Sequence, residues 1–119
     1  DDKLTDYLWN IVKEIIKTNI ENNQNIIIEG CYIPFNWKES FDDEYLKEIQ
    51  YVCLIMTENY IRTHWLDTKI HGNAIEKRKY EDVSQKELIT DNNINLEMCK
   101  KYIHRYILID DKYEVDYEL

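Results

Sequence analysis

Apolar residues at the start of the chain recur at the spacing of an amphipathic helix, with charged side chains on the opposite face. The stripe comprises Leu4, Leu8, Ile11, Val12, Ile15 and Ile16. It predicts a helix over 4–21, which the Asn-rich run 22–25 ends. The β-branched run Ile26–Ile28 follows, and because it is short and apolar on both faces it predicts a buried strand of a parallel sheet.

The middle of the chain predicts a loop, a short helix, a second strand and a third helix. The stretch Cys31–Glu39 holds the only proline and several aromatic residues, which indicates an ordered aromatic loop. Ser40–Asp43 fits a capping box and predicts a helix to about Ile49. The continuous apolar run Tyr51–Met56 predicts a buried strand, and Thr57 then caps a helix to about Lys69.

The last third of the chain begins with a stretch in which apolar residues show no regular spacing. Residues 70–83 concentrate charge and are predicted to form a mobile, lid-like excursion. Ser84–Glu87 is a second capping box, which opens a helix to about Tyr102. Its predicted apolar positions are Leu88, Leu96, Cys99 and Ile103. Tyr106–Ile109 predicts a third strand, followed by an acidic tail.

The alternation of helices and strands, without repeats or a low-complexity linker, predicts the fold class. It is typical of a single α/β domain over residues 1–119 with a three-layer arrangement around a parallel sheet. The length of 119 residues is enough for one compact domain.

Composition narrows the function classes. The chain is 44% apolar with ten Tyr, which indicates a globular protein, and its formal charge of −9 argues against a broad basic nucleic-acid-binding face. Since no stretch approaches the roughly 20 apolar residues of a membrane span, no membrane contact is expected. Cys31, Cys53 and Cys99 form no CxxC pair, which favours reduced cysteines in a cytoplasmic protein.

The strongest candidate for chemistry is Glu29, followed by Gly30, at the end of the first predicted strand. In open parallel sheets ligands bind beyond the carboxyl ends of the strands, so a carboxylate there faces the position of a phosphate or a metal-bound water. The alternative is an ordinary strand-end glutamate that faces solvent.

Positive charge is the second signal. Arg62 lies one turn into the helix after the second strand, and Lys77 and Arg78 lie in the lid-like excursion. Phosphoryl transfer needs cations around the transferred group and a segment that excludes water. The alternative is a solvated charged loop.

The aromatic loop is the third signal. Tyr32, Phe35 and Trp37 either stack against a planar substrate or plug the end of the sheet. The three histidines have no metal-ligand spacing, so no direct metal ligand is predicted. With Gly30 and Gly72 as its only glycines, the chain holds no GxxxxGK[ST] phosphate-binding loop.

Taken in order, these segments resemble the later part of P-loop small-molecule and nucleotide kinases of the adenylate-kinase-like and zeta-toxin-like type. The matching segments are Leu4–Trp9, Ile26–Pro34, Ile55–Arg62, Ile75–Arg78 and Tyr106–Asp110. The resemblance spans nearly the whole chain, and it depends on the order and spacing of motifs that are individually weak.

The resemblance implies an ATP- and Mg²⁺-dependent kinase with a small-molecule or nucleotide acceptor. It implies that Glu29 contacts substrate or a metal-bound water, and that Arg62 and Arg78 contact phosphates. It also implies that the loop with Tyr32, Phe35 and Trp37, together with Lys77, borders the acceptor.

The missing phosphate-binding loop is the main departure from this family. Its central strand would also be missing between Ile26–Glu29 and Tyr51–Met56, so either the native chain is longer upstream of Asp1, a second chain supplies the strand, or the sheet re-pairs. We therefore expect an incomplete domain that is inactive alone and binds ATP weakly, with possible homo-oligomers or strand exchange. The alternative is a non-catalytic interaction module that binds a partner through an exposed sheet edge.

Overall fold

The computed structural model describes residues 2–66 and 84–117. It is an α/β structure whose described residues contain helices and one small parallel sheet of two strands. The chain divides into two compact units, Asp1–Gln50 and Tyr51–Leu119, and each is described by itself. The α/β class is thereby confirmed. The single domain over 1–119 stays a prediction, and the lid-like excursion at 70–83 lies outside the described residues.

Unit 1 begins with helix α1, Asp2–Glu21, close to its predicted bounds. The helix ends because Asn23 adopts a left-handed conformation with φ of 53°. This turn lets the Gln24 amide donate to the Asn19 carbonyl at 2.8 Å and the Asn23 amide to the Ile20 carbonyl at 3.2 Å. Both bonds satisfy carbonyls that a helix end otherwise leaves without partners. The Asn-rich run therefore ends the helix, as the sequence predicts.

Aromatic side chains form the core of unit 1. Trp9 of α1, Trp37 and Phe41 are 7%, 4% and 6% exposed. Phe41 meets Trp9 edge-on at a centroid distance of 6.0 Å, and Trp37 at 6.2 Å, the geometry that aromatic quadrupoles favour. Trp37 opens a short 3₁₀ helix, Trp37–Ser40. The aromatic loop is therefore ordered by packing against α1.

The predicted strand Ile26–Ile28 is wrong. These residues form no regular structure, and Ile26 and Ile27 are 46% and 83% exposed. A strand exists only through hydrogen bonds to a neighbouring strand, and no strand is formed among the described residues of unit 1 to supply them. There is therefore no strand at Ile26–Glu29 beside which a central strand could be missing.

The helix predicted from Ser40 to about Ile49 is shorter than expected. Helix α2 spans Asp43–Leu46, with Asp42 as its N-cap residue. Ser40 does not cap it, because its hydroxyl accepts a hydrogen bond from the Trp9 indole at 2.9 Å. The Tyr45 hydroxyl donates to the Glu21 carboxylate at 2.5 Å, which raises the pKa of Tyr45 to about 12 and ties α2 to the end of α1.

Unit 2 contains the sheet. Strand β1, Cys53–Met56, and strand β2, Tyr106–Ile109, pair in parallel with Cys53 opposite Tyr106 and Met56 opposite Ile109. The second and third predicted strands are thereby confirmed, although β1 begins two residues late. They pair with each other directly.

Two helices connect and cover these strands. Helix α3, Glu58–Thr63, follows Thr57, whose hydroxyl accepts from the Tyr60 amide, and helix α4, Gln85–Lys101, follows Ser84, whose hydroxyl accepts from the Glu87 amide. Both predicted N-caps are confirmed. The part of the third predicted helix beyond residue 66 lies outside the described residues.

The core of unit 2 agrees only in part with the predicted apolar face of α4. Cys99 is buried as predicted and Leu88 and Leu96 are half-buried. Ile55, Ile61, Cys99 and Ile109 are fully buried, and α4 also buries Ile89 and Asn92. Ile103, predicted to be apolar core, is 86% exposed and has a φ of 57°. This left-handed conformation is strained for a β-branched residue. It is imposed by the end of α4, where the His104 amide donates to the Cys99 carbonyl at 2.8 Å.

Burial in this core changes the acidity of two side chains. Cys99 is 0% exposed, and removal from water, together with the neighbouring Cys53 thiol, raises its pKa from 9.0 to about 12. Burial also raises the pKa of the Tyr51 hydroxyl, with Cys53 and Cys99 contributing. Both groups are therefore held neutral and unreactive in the folded chain.

We predict that the stability of the chain falls as pH rises above 9. The Cys99 thiol ionises near pH 9 when the chain is unfolded and only near pH 12 when it is folded, so its contribution is complete below pH 9 and is lost towards pH 12. Denaturant unfolding between pH 8 and pH 11 should show a shallower decline for Cys99→Ala than for wild type. Equal slopes would contradict the assigned pKa, whatever the absolute stability of the variant.

Candidate functional site

The sequence-predicted site residues are divided between the two units and the residues outside the described ranges. Glu29 is exposed in the irregular segment of unit 1, whereas Arg62 lies on α3 of unit 2. Lys77 and Arg78 lie outside the described residues. Since Ile26–Ile28 is not a strand, Glu29 does not end a buried strand, and the geometric argument for its role is wrong. Its contact with substrate stays a prediction.

Arg62 is engaged by a neighbour on its own helix. Its Nε and Nη2 atoms donate to Glu58 Oε1 at 3.0 and 2.7 Å, and both side chains are more than half exposed. A pair four residues apart on an exposed helix stabilises that helix by about 0.3–0.5 kcal/mol. The phosphate contact predicted for Arg62 would require this pair to open.

The three predicted residues of the aromatic loop differ in how deeply they are buried. Trp37 is buried in the core of unit 1, where the ammonium of Lys38 lies 5.9 Å from its ring centroid. Tyr32 and Phe35 are half-buried. Packing within unit 1 accounts for Trp37, while the substrate contacts of Tyr32 and Phe35 stay a prediction.

Polar side chains gather where both strands of unit 2 end. Thr57 follows β1 and Asp110 follows β2, and the Thr57 hydroxyl donates to Asp110 Oδ1 at 2.7 Å. The Asn59 amide donates to the same oxygen at 3.3 Å. This is the edge at which open α/β sheets bind ligands. Here, however, its polar groups bond to each other and tie the end of β2 to the start of α3.

His64 adds a further contact between the α3 region and the end of β2. His64 Nε2 lies 2.9 Å from the Asp111 carbonyl, and its ring stacks on Tyr60 at a centroid distance of 4.6 Å. Among residues 2–66 and 84–117, no group of three His, Cys, Asp or Glu side chains has the arrangement of a metal site. The carboxyl edge therefore holds α3 against β2 and offers no evident catalytic constellation.

Two surface depressions of the described residues are lined by none of the predicted site residues. One of about 500 Å³ is lined only by residues of α1, and one of about 320 Å³ only by residues of α4. A depression lined by one helix is the groove between its own side chains and does not enclose a ligand. Within the described ranges, no helix has the length and apolar character needed to cross a bilayer.

The outer edge of β1 is capped at Met56 by a buried side chain. The Cys53 and Thr57 amides donate to the Arg105 and Ile109 carbonyls of the β2 segment, both at 3.0 Å, so the intervening Met56 amide faces away from β2. That amide donates to Asn92 Oδ1 at 2.9 Å. The Asn92 amide group in turn donates to the Leu88 carbonyl of α4 at 2.9 Å. Asn92 is therefore buried with partners for both ends of its side chain.

The outer edge of β2 has no such cap. By the same alternation, Tyr106 and Leu108 direct their backbone groups away from β1. Among the residues that the structure describes, none hydrogen-bonds to them on that side. Their side chains are 36% and 49% exposed. The open edge, defined as the outer backbone groups and side chains of Tyr106 and Leu108, is the candidate functional site.

The sequence contained one signal for this open edge. The run Tyr106–Ile109 is uncharged and contains no proline, so it lacks the residues that usually protect an edge strand. No sequence signal pointed to Asn92. Its capping of β1 depends on residues 36 positions apart, which no local pattern reveals.

Comparison with known proteins returned no match to a family model, to a curated protein or to a solved structure.

We predict that Asn92→Ala destabilises unit 2 and opens its second edge. The variant leaves the Met56 amide without its partner, which costs about 1–3 kcal/mol in the free energy of unfolding. The matched control is Asn93→Ala, since Asn93 is the exposed neighbour on the same helix. Denaturant unfolding of the two variants measures the difference, and equal stabilities would show that the Asn92 hydrogen bonds contribute nothing.

Proposed function

We propose that this chain is a partner-binding module that accepts an added β-strand along the open edge of β2. The observation that carries the proposal is the asymmetry of the sheet. Asn92 caps the Met56 amide on the edge of β1, while no described residue bonds to the outer backbone groups of Tyr106 and Leu108 on the edge of β2. Strand addition uses main-chain hydrogen bonds for affinity and the alternate side chains for selectivity.

The composition of β2 supports strand addition. Natural edge strands are usually blunted by charged residues, proline or a bulge. β2 has none of these over Tyr106–Ile109, and charge occurs only at its flanks, at Arg105 and Asp110. A partner strand therefore meets an uncharged edge of four residues with a positive end and a negative end.

The side chains indicate the chemistry of the partner. Tyr106 and Leu108 lie on one face of the sheet, since residues two apart in a strand share a face. A partner strand with apolar side chains at alternate positions would cover both of them. Cross-strand pairs of aromatic and aliphatic residues contribute about 0.2–1 kcal/mol each, so such a partner is favoured over a polar one.

We predict that Leu108→Pro abolishes strand addition and leaves unit 2 folded. The Leu108 amide faces away from β1, so proline at this position removes a bond only to the added strand. The probe is a set of decapeptides selected against the wild-type chain from a displayed random library. Binding should protect the Tyr106 and Leu108 amides from hydrogen exchange, measured residue by residue by NMR.

The matched control is Ile107→Pro, one residue earlier. The Ile107 amide faces β1, so this variant should lose stability where Leu108→Pro does not. If no peptide is selected, or if the selected peptides bind Leu108→Pro as well as wild type, strand addition at β2 is wrong.

The kinase interpretation stays a prediction that the isolated chain can test separately. It predicts no ordinary affinity for Mg·ATP, because the glycine-rich loop and lysine that hold the phosphates are missing from the sequence. Calorimetric titration with ATP and Mg²⁺ measures this. A micromolar dissociation constant would contradict this prediction and show that the chain holds nucleotide by groups other than a glycine-rich loop.

A further inference from the structure

The segment after β2 carries a strand pattern that forms no strand in the structure. Tyr113, Val115 and Tyr117 alternate with the acidic residues Glu114 and Asp116. Alternation of this kind is typical of a strand with one apolar face. Residues 113–117 nevertheless form no regular structure, and Tyr113 and Val115 are 64% and 42% exposed.

The structure already brings this segment back alongside β2. The Arg105 guanidinium lies 4.4 Å from the ring centroid of Tyr117. Arg105 immediately precedes β2 and Tyr117 is twelve positions later, so the chain reverses direction between them. The bend occurs at Asp111 and Lys112. The segment therefore runs antiparallel to β2 and ends beside its start.

The bend sets one register for a closed hairpin, and the Arg105–Tyr117 contact shows that the end of the segment already reaches the start of β2. Closing would move the Tyr117 ring from Arg105 to the face of the sheet that carries Tyr106. With Asp111 and Lys112 as a two-residue hairpin loop, Val115 comes opposite Leu108 and Tyr117 opposite Tyr106. Both are hydrogen-bonded positions of an antiparallel ladder, which matches the outward backbone groups of the open edge. The apolar side chains then pair across the strands, and Asp116 lies diagonal to Arg105, where opposite charges attract.

We propose that residues 113–117 close on the open edge of β2 as an antiparallel third strand and compete there with a partner strand. The inference rests on the proposed function, because both use the same edge. The described structure is the open form, in which residues 113–117 form no strand and the Tyr117 end of the segment contacts Arg105. A partner would then need to resemble the segment, with apolar residues alternating with acidic ones.

The test compares two proline variants of the full chain. Val115→Pro removes an amide that faces Leu108 in this register, whereas Glu114→Pro removes one that faces solvent. In the wild type and in Glu114→Pro, the Tyr106 and Leu108 amides should exchange about tenfold more slowly than in Val115→Pro. The same Val115→Pro variant should bind the selected decapeptides more tightly than wild type, because its competitor is weakened.

Three results would overturn the proposal. Equal exchange in wild type and Val115→Pro shows that the segment does not close. Protection that appears only with rising protein concentration shows that the segment pairs with a second copy. Equal peptide affinity in the two proteins shows that there is no competition. If peptides still protect the Tyr106 and Leu108 amides from exchange in these cases, strand addition at β2 stands without competition from residues 113–117. If peptides do not protect these amides, strand addition and the competing segment are both wrong.

Discussion

The hydrogen bond from the Met56 amide to Asn92 determines how unit 2 presents its sheet. Any two-stranded sheet has two outer edges whose backbone groups need partners. Asn92 supplies one partner from the packed helix α4, so β1 is held against that helix as well as against β2. A buried amide side chain is tolerated there because both its carbonyl and its amino group are bonded. Among the described residues, none bonds in the same way to the outer backbone groups of Tyr106 and Leu108, so the edge of β2 is open.

Local signals account for what the sequence predicted well. Thr57 and Ser84 were predicted as N-caps because an N-cap hydroxyl accepts from an amide only three residues later. The bonds from the Tyr60 and Glu87 amides to these hydroxyls are both present. Strand Tyr106–Ile109 was predicted with its observed bounds because a short apolar run between charged residues has few alternatives. The run Ile26–Ile28 is also short and apolar, but it forms no strand, because no composition supplies a neighbouring strand.

Tertiary competition accounts for the other differences. Ser40 was predicted to cap a helix. Its hydroxyl instead accepts a hydrogen bond from the Trp9 indole, 31 positions away. Trp37 was predicted beside a substrate, yet the edge-on contact with Phe41 places it in the core of unit 1. For Ser40, a buried partner distant in sequence outweighed a local capping preference of about 1 kcal/mol. For Trp37, burial in an aromatic cluster replaced the predicted contact with a substrate. The candidate site escaped prediction for the same reason, since its availability depends on what the rest of unit 2 leaves uncovered.

An uncharged open edge is an aggregation hazard unless something limits contact between copies. The net charge of −9 makes copies repel one another, which slows their encounter. A segment tethered by a two-residue bend meets the edge at an effective concentration on the order of millimolar, above that of any second copy at ordinary protein concentrations. On our proposal the acidic segment thus has two roles, because its charges keep other copies away while its alternate apolar residues cover the edge. Only a strand that outcompetes this tethered segment gains access to β2.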